Sequence, residues 1–166
     1  MTEPQDAGAS RQLLRGQRVV VVGGTSGMGL GAVRAAADAG AHVIAAGRRP
    51  AAARDIVQPA EGRLEHAVVD VTDEASVRAM FDAIGEVDHL FVTAAPPPGS
   101  WGAFLDQDVA AAQTYMNGKF FGSWACARYA APRMHPGGST GAIDSYVTRS
   151  SRGLRDCSVK RFTRTL

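Results

Sequence analysis

Cysteine is scarce in this chain: Cys126 and Cys157 are the only two. They form no spaced pair, which argues against a disulfide framework or a zinc site, and no metal is expected. Long apolar runs are missing too. The longest purely aliphatic one, the valines of residues 19–22, is far too short to cross a bilayer. The first sixteen residues are polar and mixed in charge, without the apolar centre of a secretory signal. These absences point to a cytoplasmic protein whose residues 1–16 are a loose, flexible tail. Neither sign of charge dominates, since 18 basic residues face 16 acidic ones for a net +2. The distribution is uneven, however. Residues 137–166 hold Arg149, Arg152, Arg155, Lys160, Arg161 and Arg164 against Asp144 and Asp156 alone. Such a basic segment can attract nucleic acid or acidic lipid. It lacks aromatic residues at stacking intervals, so it reads as solvated surface, with neither nucleic acid nor membrane as partner.

What is present is a globular pattern. The 166 residues are 45% hydrophobic, enough for one domain with a real core and too few for two. Residues 18–22 are a continuous β-branched run, as in a strand buried on both faces. A glycine turn follows at 23–29, then an alanine-rich helix at 30–39 that stops at Gly40. Further strands are predicted at 42–46, 64–69 and 88–93. A weak helix is predicted at 51–57, and a helix from Asp73 through residue 84, with Val77, Met80, Phe81 and Ile84 at helical spacing. After a Pro/Gly loop at 94–102, residues 106–134 read as one long helix with Val109, Tyr115, Met116 and Phe120 on its apolar side. Strand and helix alternate, so the fold class is α/β, a doubly wound parallel sheet covered on both faces. A fifth strand is expected at 137–145. Beyond it the pattern degrades, with only a helical hint at 159–166. The domain is therefore set at 17–145, with 146–166 a degraded C-terminal segment.

The glycine turn carries the chemistry. It reads Val22-Gly23-Gly24-Thr25-Ser26-Gly27-Met28-Gly29, directly after a strand and at the opening of a helix. Gly23 permits the exit from the strand, Gly27 lets backbone approach a pyrophosphate, and Gly29 lets the helix pack on the sheet. The helix start then offers N–H groups and a positive dipole end to phosphate. This G-x-x-x-G-x-G spacing resembles the short-chain dehydrogenase/reductase family, whose fold is Rossmann-type. Later landmarks agree over roughly residues 17–140. Asp70-Val71 after the third strand looks like that family's adenine clamp. Residues 88–95 look like its fourth strand and turn, with Thr93-Ala94-Ala95 where Asn-Ala-Gly is usual. Asn117 matches its catalytic asparagine, and Gly137-Gly138-Ser139 resembles the turn into its fifth strand. The family's sixth and seventh strands have no counterpart here.

Dinucleotide folds read the ribose about 20 residues past the glycine turn. That count lands on Ala46-Gly47-Arg48-Arg49, which holds no carboxylate. An acidic residue there suits NAD, whereas Arg48 or Arg49 can grip a 2′-phosphate with a planar fork. NADP(H) is the expected cofactor.

The resemblance implies hydride transfer between nicotinamide and a small carbonyl or alcohol, a tyrosine-lysine pair four residues apart for the proton, and an upstream serine. Tyr115-Met116-Asn117-Gly118-Lys119 matches the string, but it lies before the fifth strand and already contains Asn117. It reads as a core tyrosine beside a solvated lysine. Ser145 fits the serine. Twelve residues on stands Cys157 rather than tyrosine, and four beyond is Arg161 rather than lysine, although residues 158–166 look like the helix that follows the family's tyrosine. Three readings stay open: an NADP(H)-dependent oxidoreductase with impaired chemistry, a non-catalytic NADP(H)-binding module, or a truncated fragment without function. A homo-oligomer is expected, because the fifth strand's outer edge would present unpaired backbone groups.

Overall fold

The computed structural model describes residues 13–49, 63–94, 96, 104–144 and 160–165. Residues 1–12, the weak helix at 51–57, Ala95, Ser145 and Cys157 lie outside the described residues. The elements run β1 (Arg18–Val22), α1 (Gly27–Asp38), β2 (His42–Gly47), β3 (Arg63–Val68), α2 (Glu74–Ile84) and β4 (Val87–Val92). A 3₁₀ turn (Phe104–Asp106) then leads to α3 (Val109–Met116), a π-helical turn (Asn117–Phe121) and α4 (Gly122–Ala130). A second 3₁₀ turn (Ala131–Arg133), β5 (Met134–Asp144) and β6 (Lys160–Thr165) complete the order.

The six strands form one sheet in the order β3-β2-β1-β4-β5-β6. β1 to β5 are parallel, as expected, and β6 is antiparallel to β5. The alternation of β1 explains its unbroken valines. Val20 and Val22 face one core with Ile44, Val77, Phe81 and Cys126, under α2 and α4. Val19 and Val21 face the other with Val33, Ala37 and Val43, on the α1 side. Each such valine, taken from water on folding, contributes about 1.5–3 kcal/mol.

The chain passes from β1 to β2 and β3 on one side, then crosses to β4 on the other. The strand order therefore reverses between β1 and β4. Ligands of open parallel sheets sit in the crevice beyond the carboxyl ends of the strands at this reversal.

Three expectations are corrected. Residues 13–16 are not loose: they form a turn, Leu14 donates its N–H to the Ala39 carbonyl at 3.1 Å, and its side chain packs on the core beside α1. The long helix at 106–134 is broken. Asp108 caps a fresh start by accepting from Ala111 N–H at 2.7 Å, and the π turn inserts an extra residue before α4. That insertion rotates the buried stripe. Val109 and Phe120 are exposed, while Gly118, Lys119, Gly122, Ala125, Cys126 and Ala130 are buried. Finally, residues 160–165 form a strand where a helix was hinted. They pair with β5 from Ser139 to Asp144, beyond the boundary set at 145. Thr163, Thr165 and Phe162 favour extended backbone, and the β5 edge supplies the hydrogen bonds a helix would have made internally. That edge is therefore paired, contrary to the expectation that it lies open.

Candidate cofactor site

The glycine turn stands at the reversal point, held from both sides. Gly23 and Gly24 donate their N–H groups to the Ala46 carbonyl of β2, at 2.8 and 3.2 Å. On the other side the Thr93 hydroxyl, just past β4, donates to the carbonyls of Val22 and Gly23 at 3.2 and 3.3 Å. Three glycines are obligatory there, and Gly24 is one of them: a Cβ on it would lie 2.9 Å from both the Val21 carbonyl oxygen and Val33 Cγ2. Gly23 has φ +85°, and a Cβ on it would lie 2.7 Å from both Ala94 N and Thr93 Oγ1. A Cβ on Gly29 would be driven into the Gly23 carbonyl, with Thr93 Oγ1 at 2.5 Å. Gly29 thus seats α1 on the sheet, as its spacing predicts.

Gly27 differs. It has φ +52°, yet a Cβ there would meet nothing within 4 Å. The space above its backbone is open. Beside it α1 begins at Ser26, whose side chain makes no capping bond, with no acidic residue in the first turn. By contrast Asp73 caps α2, accepting from Ala75 N–H at 3.0 Å, and Asp108 caps α3. The start of α1 is thus left without its own side-chain acceptor, and the open space over Gly27 leaves room for a pyrophosphate at that helix start. Ser26 and Met28 are exposed at its rim, and Thr25 lies between the turn and Gly47, 3.3 Å from where that glycine's Cβ would be.

Arg48 and Arg49 follow β2 and are exposed. Asp70 follows β3. It accepts from the Thr72 hydroxyl at 2.7 Å and the Thr72 N–H at 2.9 Å. These bonds hold its carboxyl below the ordinary value of 3.8, and the Arg48 charge helps. Arg48 and Asp70 therefore act on the same side of the crevice. Val71 packs against the turn from α4, where Gly122 leaves room: a Cβ there would sit 2.8 Å from Val71 Cβ.

On the β4 side stands Ala94, half-buried. Asn117, expected in this wall, is exposed. The residue that the π turn buries is Lys119, 3% exposed, with Nζ 3.4 Å from the Ala94 carbonyl oxygen. The expectation of a solvated lysine is thus corrected. The turn lies near the loops after β3 and β4: a Cβ on Gly118 would make ordinary contact, 3.6 Å from Pro96 Cγ and Thr72 Cγ2. The Tyr115–Lys119 string drew attention to Lys119 only as a solvated neighbour of Tyr115, although 16 of the 18 basic residues are arginine and Lys160 is the only other lysine. Tyr115 is half-buried. Cys126 is no nucleophile: burial pushes its thiol up to about 12. Among the described residues, no cluster of His, Cys, Asp or Glu is arranged to hold a metal, and no helix is long and apolar enough to cross a membrane.

Comparison with known proteins shows the family and the fold. A family model described as enoyl-(acyl carrier protein) reductase matches residues 22–158. The chain is 33% identical to (-)-isopiperitenol/(-)-carveol dehydrogenase of Mentha piperita, over 81% of this chain and 53% of that one. Among solved structures, the Pseudomonas aeruginosa RhlG/NADP complex is 26% identical with a TM-score of 0.65, over 75% of this chain and 50% of that one. The fold alone is shared with a 7α-hydroxysteroid dehydrogenase complexed with NADH, at 23% identity and a TM-score of 0.71, over 82% of this chain and 56% of that one. The chain spans about half the length of the curated dehydrogenase it matches.

Proposed function

The chain belongs to the short-chain dehydrogenase/reductase family, and from that premise we propose that it binds NADP(H) in the crevice between β1 and β4 and serves hydride transfer to or from a small carbonyl or alcohol. The observation that carries this reading is the open cradle over Gly27 beside the uncapped start of α1. Gly23, Thr25, Ser26, Gly27, Met28 and Gly29 would surround the pyrophosphate. Arg48 and Arg49 would meet the 2′-phosphate, and Asp70 and Val71 the adenine. Ala94 and Ala95 would line the nicotinamide side. A bound nicotinamide would supply the hydride in reduction and accept it in oxidation, and these residues would orient it.

Cofactor choice is tested by titrating NADPH and NADH calorimetrically. The chain should favour NADPH, and Arg48→Ala should erase most of that preference. Equal affinities in the parent chain would overturn the assignment.

Cys157 and Arg161 favour a second reading, a nucleotide-binding module with little chemistry of its own. By sequence resemblance alone they stand where the family has the tyrosine and lysine for the proton, although Arg161 lies in a strand and not in a helix. An NADPH-oxidation assay with simple ketones separates the two. Binding without turnover supports the module, and turnover near the ordinary enzyme median of about 10 s⁻¹ supports a working reductase.

A second copy of the chain is the proposed macromolecular partner. Phe120, Phe121 and Trp124 are 46%, 57% and 57% exposed around the π turn, and Phe120 and Phe121 meet edge to face with centroids 5.2 Å apart. Apolar clusters of this kind mark association surfaces.

A further inference from the structure

Lysine is almost never fully buried unless something compensates its charge. Lys119 is the one charged side chain buried among the described residues, and it is buried at the crevice rather than in the core. Three features put it there. The π turn of Asn117–Phe121 rotates it inward, and such turns recur at functional sites. The backbone at Gly118 lies in ordinary contact range of Thr72 and Pro96, in the loops after β3 and β4, and the Nζ reaches the carbonyl of Ala94. The Ala94 N in turn lies where a Cβ on Gly23 would collide with it, so Lys119, Ala94 and the glycine turn form one continuous wall.

The strand order decides which part of a dinucleotide this wall meets. Arg48 follows β2 and Asp70 follows β3, both on one side of β1. A cofactor whose pyrophosphate lies on the turn, with its adenosine half toward those residues, sends its other half across β4. The oxygens nearest the pyrophosphate on that half are the hydroxyls of the nicotinamide ribose. An ammonium has three donors, and such hydroxyls are apt acceptors.

We infer that Lys119 is a cofactor-binding residue for the nicotinamide half, donating to its ribose while it holds the Ala94 carbonyl. This rests on the NADP(H) reading above. It gives the cation of that half to the π turn, independently of Arg161.

The test uses two probes on the whole chain, NADPH and adenosine 2′,5′-bisphosphate, which lacks the nicotinamide half. Lys119→Met keeps the length and removes the charge. NADPH should bind about tenfold more weakly, the usual loss for one hydrogen bond to a charged group, while the bisphosphate binds within about twofold of the parent. The ligand-free melting temperature should hold or rise, because an apolar isostere relieves the cost of a buried charge. Lys119→Arg should recover part of the NADPH affinity, and it is read by the same two probes if the Met variant does not fold. An unchanged NADPH affinity overturns the inference, and so does an equal loss for both probes, which would make Lys119 a support of the fold alone. A parent chain that binds the bisphosphate but gains nothing from the nicotinamide half also overturns it, leaving the nucleotide site standing. Binding of neither probe overturns both readings.

Discussion

The two flanks of the glycine turn handle charge in opposite ways. On the β2/β3 flank, Arg48 and Arg49 are exposed and Asp70 is bonded to its own Thr72. On the β4 flank a single cation, Lys119, is buried against a backbone carbonyl. Exposed charges act through water and are screened by salt, whereas buried ones are screened much less. The first flank is suited to capturing an anionic ligand. The second is suited to fixing it, because a charge in low dielectric acts strongly over a short distance. In the proposed complex an exposed, screened contact at one end and a buried, short-range one at the other would divide the recognition of one ligand.

The comparison breaks most severely at the turn that joins the flanks. Gly29→Val should cost about 3 kcal/mol or more, because the new side chain meets backbone that cannot move aside. Its melting curve should show this with or without NADPH. Gly27→Val should separate binding from folding. Its side chain enters open space and strains only a positive φ, a cost of about 1–2 kcal/mol, so helix content stays while NADPH binding is lost. Circular dichroism with calorimetry measures both, and parental affinity would place the phosphates elsewhere.

Salt sharpens the comparison next. Arg48→Ala should weaken NADPH binding roughly tenfold at low ionic strength, the lower end for a charge-assisted contact because the group is exposed. The deficit should shrink as salt is raised toward ~0.5 M, while that of Lys119→Met should not. Titrations at two salt concentrations decide this, and equal salt dependence would erase the distinction between the flanks.

Association is expected to change without loss of fold when Phe121 and Trp124 are replaced together by serine, since both are already exposed. Sedimentation should show the parent as a dimer and the variant as a monomer. A monomeric parent would refute the second copy.

The smallest effect concerns acid. The folded carboxyl of Asp70 titrates below its ordinary value of 3.8, so its contribution to stability is complete above that value and is lost as pH falls below it. Asp70→Asn should lower the melting temperature slightly near neutrality, and the difference should vanish in strong acid. A variant equally destabilised at every pH would show that the charge is irrelevant.

Much of the fold was legible because its signals are local. The valines of β1, the helix cap at Asp73 and the parallel sense of five strands follow from periodicity and from the alternation of strand and helix. The glycine turn was legible because its spacing falls on seven consecutive residues, although part of what makes Gly23 and Gly29 obligatory comes from Thr93 and Ala94 across the sheet. What sequence could not decide depends on residues far apart in the chain. The burial of Lys119 follows from a π turn that shifts the helical register by one residue, so a stripe read at constant period faced the wrong way. Thr93 closes the turn by reaching carbonyls about seventy residues earlier, a pairing that no local pattern encodes. β6 exists because the edge of β5 offers hydrogen bonds to a threonine-rich segment that alone would suit more than one conformation. The sequence by itself thus determined the five parallel strands and the glycine turn between the first of them and α1. The tertiary structure decided which charge is buried and which edge is covered, because burial and pairing belong to the assembled sheet and not to any one segment of it.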